Sequence, residues 1–325
     1  MKPFHSHLIF LFAFCAFLIS QGCCNRRKSE SDSTNKVCLE DSTPNKGCIQ
    51  TYRFPYVTLP SMITDPKQRN RYLGLHFWDS MSFADTVYFT SKNVMMNAFA
   101  EYFHILSSLS DEDVYQCIDR MVEKADTTSF ALAYVRKMME EALYNPNSAI
   151  RNDLYYSFFL KSYLQSDNRN RDAEPRDKSQ LEIVSMNQVG MTANDFDYIT
   201  PEGKITSLKQ LQASYLVLFF YNPGCHGCKE VTDELKGSDV LNEKIRQSVL
   251  KVLALYPDNN EKDWRATFSE LPDTWLKGFD KNQKIEDVPL YDLKAIPTIY
   301  LLDKWKKVIL KDTNVRSLEL FLNQL

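Results

Sequence analysis

The sequence predicts an α/β domain over residues 187–325, with a central sheet covered by helices on both faces, preceded by an all-α domain over residues 54–165. Three observations carry this reading. Apolar residues recur at helical spacing through the first stretch. Apolar strand-like runs alternate with helical segments in the second. One of those runs, Tyr215–Tyr221, passes through Asn222-Pro223-Gly224 into Cys225-His226-Gly227-Cys228.

Taken in chain order, Lys2 precedes an almost wholly apolar run, Leu8 to Ile19, and then Ser20-Gln21-Gly22-Cys23. The run is short for a bilayer span and matches the core of a secretory signal. A small residue directly before a cysteine resembles the lipobox of bacterial lipoproteins, although Ser20 stands where Leu is usual. The expectation is a signal peptide over 1–22 and lipidation at Cys23, the alternative being an ordinary cleaved signal. Either way the protein is expected to be exported, and with the anchor it is expected in the bacterial cell envelope, facing the periplasm. Residues 23–53, rich in Ser, Asn, Lys, Asp and Glu, read as a flexible tether.

The helical domain begins with a segment opened by Pro66. Ser91 opens a second, with Val94, Met95, Ala98, Phe99, Tyr102, Phe103 and Leu106 on one stripe. Ser110 and Asp113 form a capping-box pattern ahead of the stripe Val114, Cys117, Ile118, Met121, Val122. Ser129 to Leu143 supplies another helix, and Asn145-Pro146 signals the next, continuing through Ile150, Leu154 and Phe158. This half holds no nucleophile–base pair, metal cluster or phosphate loop. His76 and His104 read as packed or surface residues, and the Met95–Met96 pair as core filling. Residues 166–186, starting with dense mixed charge, read as a linker.

Beyond the linker, Phe196–Ile199 and Gly203 predict a hairpin, and Leu208–Leu211 a short helix. Tyr215–Tyr221 and Val249–Leu255 are central strands, separated by a helix after the cysteines. Glu261–Phe268 is a helix anchored by Trp264, Ala295–Asp303 a strand, Lys307–Leu310 its edge partner, and Val315–Leu322 a closing helix.

A formal charge of −3 over 325 residues, with no polybasic face, gives no reason to expect nucleic acid. Of eight cysteines, Cys15 lies in the leader and Cys117 reads as a buried, inert thiol. Cys38 and Cys48 are open to pairing with each other, to one of them pairing with Cys24, or to standing unpaired.

Cys225 and Cys228 carry a mechanism. Placed at a helix N-terminus, both thiols meet partial positive charge that favours the thiolate, the attacking species in disulfide exchange. A zinc site would need a second ligand pair, which the sequence lacks, and a c-type haem site would need His where Lys229 stands. No metal is expected, and no cofactor beyond the redox-active disulfide itself.

These residues resemble the thioredoxin superfamily, and within it the exported thiol–disulfide oxidoreductases related to TlpA and ResA. The resemblance rests on Cys225-His226-Gly227-Cys228, on Ile296-Pro297-Thr298, on Leu301-Leu302-Asp303 with its hairpin, and on the entry segment Val189–Phe196. It covers roughly 187–325 and implies a thioredoxin-like fold with a mixed sheet. The stretch Tyr72–Asp79 is similar to a domain of unknown function that precedes such modules in Bacteroidetes-type lipoproteins.

The resemblance also implies roles. Cys225 is the nucleophile and Cys228 the resolving thiol. Pro297 follows a cis bond, and the Ile296 backbone pairs with an extended substrate, with Tyr221 and Pro223 alongside. His226 either tunes the thiolate or points to solvent. Partners are protein thiols or disulfides, an upstream redox protein and, through the anchor, the membrane. Two departures stand out: Gly224 occupies a position often held by Trp, and Phe219 the place of a buried acid. Glu230 is the nearest acid in sequence. Two alternatives share the fold. A thiol peroxidase lacks support because Pro223-Gly224-Cys225 has no Thr of the peroxidase signature. A non-enzymatic binding lipoprotein is favoured by the missing acid and opposed by both cysteines.

Overall fold

In the computed structural model, residues 51–325 and the short strand Lys36–Val37 (β1) are described, and Thr51–Tyr52 is β2. The expectations for the leader, Cys23, Cys24, Cys38, Cys48 and most of the tether lie outside the described residues. Among the described residues, no helix is long and apolar enough to cross a membrane.

The helical part contains α1 (Pro66–His76), α2 (Val87–Thr90), α3 (Lys92–Leu106), α4 (Asp111–Ala125), α5 (Ser129–Met139), α6 (Asp153–Tyr163) and α7 (Glu174–Ser185). Its helix starts have chemical reasons. Asp65 caps α1 by accepting from the Gln68 amide at 2.8 Å, and Pro66 fills a first-turn position where no donor is needed. At α4 the Asp113 amide donates to Ser110 Oγ at 3.3 Å, while the Ser110 hydroxyl donates back to Asp113 Oδ2 at 2.8 Å. The stripes read from sequence close one core: Met95, Phe99, Tyr102, Val114, Cys117 and Met121 are all buried in it. Met96, by contrast, is half exposed and is not core filling.

Two expectations fail here, both for reasons of hydrogen bonding. The Asn145-Pro146 signal does not open α6. Residues 145–150 form turns, with Asn145 Oδ1 accepting from the Asn147 amide at 2.9 Å and the Ser148 hydroxyl donating to the Ala142 carbonyl at 2.5 Å. Asn152 is the true cap, accepting from the Tyr155 amide at 3.1 Å. Residues 166–186 are not a simple linker either. α7 packs on α6, and the fully buried Asp177 accepts from the Arg136 guanidinium, which also reaches Glu140 at 3.0 Å. Charges that look solvated in sequence are paired across the core edge.

The second part is a seven-stranded mixed sheet in the order β4-β3-β7-β6-β5-β8-β9. Its strands are β3 (Asp197–Ile199), β4 (Ile205–Ser207), β5 (Tyr215–Phe220), β6 (Leu250–Tyr256), β7 (Leu276–Phe279), β8 (Thr298–Asp303) and β9 (Val308–Leu310). β5 runs parallel to β6 and antiparallel to β8. Because side chains alternate across a strand, Val217 and Phe219 enter one core while Leu216, Leu218 and Phe220 enter the other. The first face is covered by α8 (His226–Gly237), α9 (Asp239–Arg246), α10 (Glu261–Ala266) and α12 (Val315–Leu322), through Leu235, Leu241, Trp264 and Leu318. The second face takes Ile285 of α11 (Lys284–Asp287), together with Tyr291 and Phe196.

Leu208–Leu211 forms a turn rather than a helix, its Leu211 amide bonding back to the Leu208 carbonyl. Strand β7 is the one strand of this sheet that periodicity does not reveal, and α2, α9 and α11 are helices it also leaves out. The four residues of β7 include Lys277 and Gly278, and Gly278 is there for space: a Cβ would stand 2.7 Å from Leu255 Cδ1 and 3.0 Å from Tyr198 Cδ2.

One charged node ties α1 to α4. Asp79 accepts from Arg120 Nη2 at 2.8 Å, lies 2.7 Å from His76 Nδ1 and 3.4 Å from Lys124 Nζ. Burial opposes its ionisation, but hydrogen bonds from Arg120 and His76 and the charges of Arg120 and Lys124 prevail, holding the carboxyl at about 2 instead of 3.8. A depressed carboxyl contributes stability that is present above 3.8 and is lost as pH falls through about 2. Asp79→Asn is therefore expected to cost about 1–2 kcal/mol near neutrality, after allowance for partial exposure. It should also flatten the acid limb between those values. Urea titrations across that range check this, and an unchanged acid limb counts against it.

Candidate functional site

β5 delivers the chain to the site. Its last rung bonds the Tyr221 amide to the Leu255 carbonyl at 3.1 Å, after which Pro223 stops the ladder. Gly224 then turns the chain with φ +77°, and the Cys225 amide closes the turn on the Asn222 carbonyl at 3.2 Å. A tryptophan at 224 would be strained by that backbone, which gives a physical reason for the departure from the pattern often seen there.

Cys225 is the N-cap of α8. Its sulfur accepts from the Cys228 amide at 3.3 Å, in the manner of a capping oxygen. Twelve residues of aligned peptide dipoles lie behind it. Cys225 is half buried, whereas Cys228, one turn on, is 3% exposed. Burial, and then the hydrogen bond with Cys225, push the Cys228 thiol up to about 12, against a pull from the Asn222 amide, which donates to its sulfur at 3.4 Å. Buried Phe219 and Tyr221 share the core with Cys228.

The loop before β8 approaches from the other side. The Ile296–Pro297 peptide is cis, as the resemblance implies. The Cys225 thiol donates to the Ile296 carbonyl at 3.7 Å, and the Pro297 ring lies 3.6 Å from where a Cβ on Gly227 would stand. Opposite, a cleft of about 470 Å³ is bordered by Tyr221, Pro223, Cys225, Thr267, Glu270 and Lys236. Tyr221 is buried, its hydroxyl 2.9 Å from Thr267 Oγ1, so it forms the cleft floor more than a contact surface. His226 is 88% exposed on its side chain, with Nε2 3.1 Å from Glu230 Oε1. The ring and the nearest acid in sequence thus pair in solvent. Sequence reasoning missed the Asn222 amide and Thr267; a backbone donor leaves no side-chain signal, and Thr267 lies 46 residues from Tyr221.

A seven-stranded mixed sheet, a cysteine pair starting the helix after its central strand and a cis-proline loop beside that pair define a thioredoxin-like fold. The family described as a domain of unknown function (DUF5106) matches residues 22–187, and a thioredoxin-like family matches residues 213–308. A thioredoxin-like protein from Bacteroides caccae, solved by crystallography, is 35% identical with a TM-score of 0.80, over 83% of this chain and 98% of that one. The chain belongs to this family of thioredoxin-like proteins, and in this chain the DUF5106 region precedes the thioredoxin-like domain. The C-terminal domain of an uncharacterized Bacteroides fragilis protein is 42% identical over 42% of this chain and 98% of its own, with a TM-score of 0.42. The thioredoxin domain of a Bacteroides vulgatus thiol-disulfide oxidoreductase is 22% identical over 42% of this chain and 96% of its own, with a TM-score of 0.38. No curated protein matches the chain.

The contrast between the sulfurs is measurable. In reduced protein at mild alkaline pH, iodoacetamide is expected to modify Cys225 well before Cys228 or Cys117, whose thiols burial pushes to about 12. Peptide mass mapping against time checks the order; Cys228 reacting first counts against this geometry.

Proposed function

We propose that the protein is a thiol–disulfide oxidoreductase of the bacterial cell envelope, exchanging disulfides with protein substrates through Cys225 and Cys228. The observation that carries the reading is the unequal placement of two sulfurs on one helix turn: Cys225 open at the N-cap, Cys228 buried behind it. Cys225 attacks as thiolate on one sulfur of a substrate disulfide. The substrate S–S bond breaks, an S–S bond to Cys225 forms, and the departing substrate thiolate takes up a proton. Cys228 then gives up its proton and attacks Cys225 Sγ. This closes the 225–228 disulfide and releases the second substrate thiolate, which takes up the proton that Cys228 gave up. Counting the proton lost when Cys225 became a thiolate, two electrons and two protons pass from the dithiol to the substrate. An upstream dithiol partner reverses the change in this chain, and the same steps run backward oxidise a dithiol.

The two sides of Cys225 have different parts in this reading. The Ile296 and Pro297 backbone receives an extended substrate segment, while Pro223 and the cleft accept its side chains. His226 stays in solvent beside Glu230. With Phe219 in the core beside Cys228 and no acid there, the proton of Cys228 leaves through the cleft, and the mixed disulfide lives longer than it does beside a buried carboxylate. Export and a lipid anchor at Cys23 rest on the leader sequence.

Purified protein is expected to reduce insulin disulfides with dithiothreitol as reductant. Cys225→Ser should drop the rate to the uncatalysed background, and Cys228→Ser should accumulate substrate covalently held on Cys225. A wild-type protein that consumes peroxide faster than it reduces any disulfide would establish the peroxidase alternative; inactivity in both assays would leave a binding module.

A further inference from the structure

We infer that the helical domain is a positioning element for the redox pair, acting through Asp153 and Lys294 on the loop that carries Ile296. This rests on the reading of Cys225 as the attacking thiol. Lys294 stands two residues before Ile296. Its ammonium lies 3.2 Å from Asp153 Oδ1, pairs closely with Asp292 Oδ2, and sits 4.2 Å from the centre of the Tyr144 ring. Tyr144 ends the turn after α5 and Asp153 begins α6, so the helical domain supplies two sides of the clamp. Asp153 is almost wholly enclosed; its second oxygen lies 3.1 Å from Lys311 Nζ, which also donates to the Met186 carbonyl at 3.1 Å.

The loop is therefore held at one end by β8 and in its middle by the helical domain. What it presents to the site is the Ile296 carbonyl, 3.7 Å from Cys225 Sγ. A carbonyl oxygen there accepts from the thiol and covers one side of the sulfur, so its position sets how open Cys225 Sγ is to an incoming reagent. A buried ion pair is weak support for stability and better suited to fixing one arrangement. A second pair, Arg151 to Asp312 at 2.9 Å, joins the same two domains beyond the end of β9. It provides an internal control, because neither residue belongs to the 292–297 segment.

The test uses the full reduced chain and its Asp153→Asn, Lys294→Met and Arg151→Gln variants. Alkylation of Cys225 by iodoacetamide, with buried Cys117 as the reference thiol, is followed by peptide mass against time at one pH. The charged and titratable side chains of α8 on this side, namely His226, Cys228, Lys229, Glu230, Asp233 and Lys236, are unchanged in all three, as is Glu270 in the cleft lining. Releasing the loop withdraws the carbonyl from one side of Cys225 Sγ, so the alkylation rate of Cys225 in Asp153→Asn and Lys294→Met rises roughly fivefold, equivalent to about 1 kcal/mol, while buried Cys117 stays protected. Arg151→Gln keeps the wild-type rate. Wild-type rates in both clamp variants, or an equal rise in Arg151→Gln, overturn the inference. If Asp153→Asn fails to fold, Lys294→Met, which keeps its stem over Tyr144, carries the comparison alone. A wild-type chain that alkylates normally but reduces no disulfide defeats the enzyme reading, and the alkylation rates still decide the positioning role.

Discussion

The register of β5 between its two neighbours is the constraint on which the site depends. Phe220 lies opposite Leu255 on the parallel side and opposite Thr298 on the antiparallel side. The segment leaving Phe220 and the segment entering Thr298 must therefore emerge at the same edge of the sheet. The first is the turn to Cys225, and the second is Ile296-Pro297. Residues 71 apart meet at 3.7 Å because two ladders end on the same rung. A slip of one residue would turn every β5 side chain to the opposite core, and because both faces are buried and apolar it is the close fit of side chains of different shape that opposes it.

Around that edge the chain sorts its two sulfurs by solvation. A helix N-terminus offers amide donors and partial positive charge, and Cys225 takes the cap position where both act. One turn later Cys228 is buried in the core that holds Phe219 and Tyr221, and burial favours its protonated form. Two identical residues thus acquire different chemistry from three positions of helix. The glycine between strand and cap matters for a related reason, since its positive φ lets the chain reverse within a few residues of the last rung.

The domain boundary obeys the same electrostatic logic. The dense charges after Gln165 look like a solvated tether when only composition is weighed. In the structure Arg136 reaches Asp177, the paired amides of Asp167 and Asn168 settle on Asp126 at 2.9 Å each, and α7 closes the helical core with Val184. Lys311 then reaches back to the carbonyls of Val184 and Met186. Pairing partners some forty residues away leave no local period, so composition alone points to a linker there. The misplaced start of α6 has a similar origin: Asn145 and Pro146 satisfy a turn locally, while the cap that matters, Asn152, lacks a proline beside it.

Local patterns by themselves determined the stripes of α3 and α4, the capping box at Ser110, the central strands, the cysteine pair and the proline before β8. Each depends on neighbours within a few positions, through backbone periodicity, capping and apolar burial. The tertiary structure decided how deeply each thiol is buried, that His226 faces water, that a four-residue strand with Gly278 fits between β3 and β6, and that Asp153 grips the Ile296 loop. Those outcomes depend on distance and solvent access between segments far apart in the chain, and solvation is a property of the packed whole that no short stretch of residues encodes.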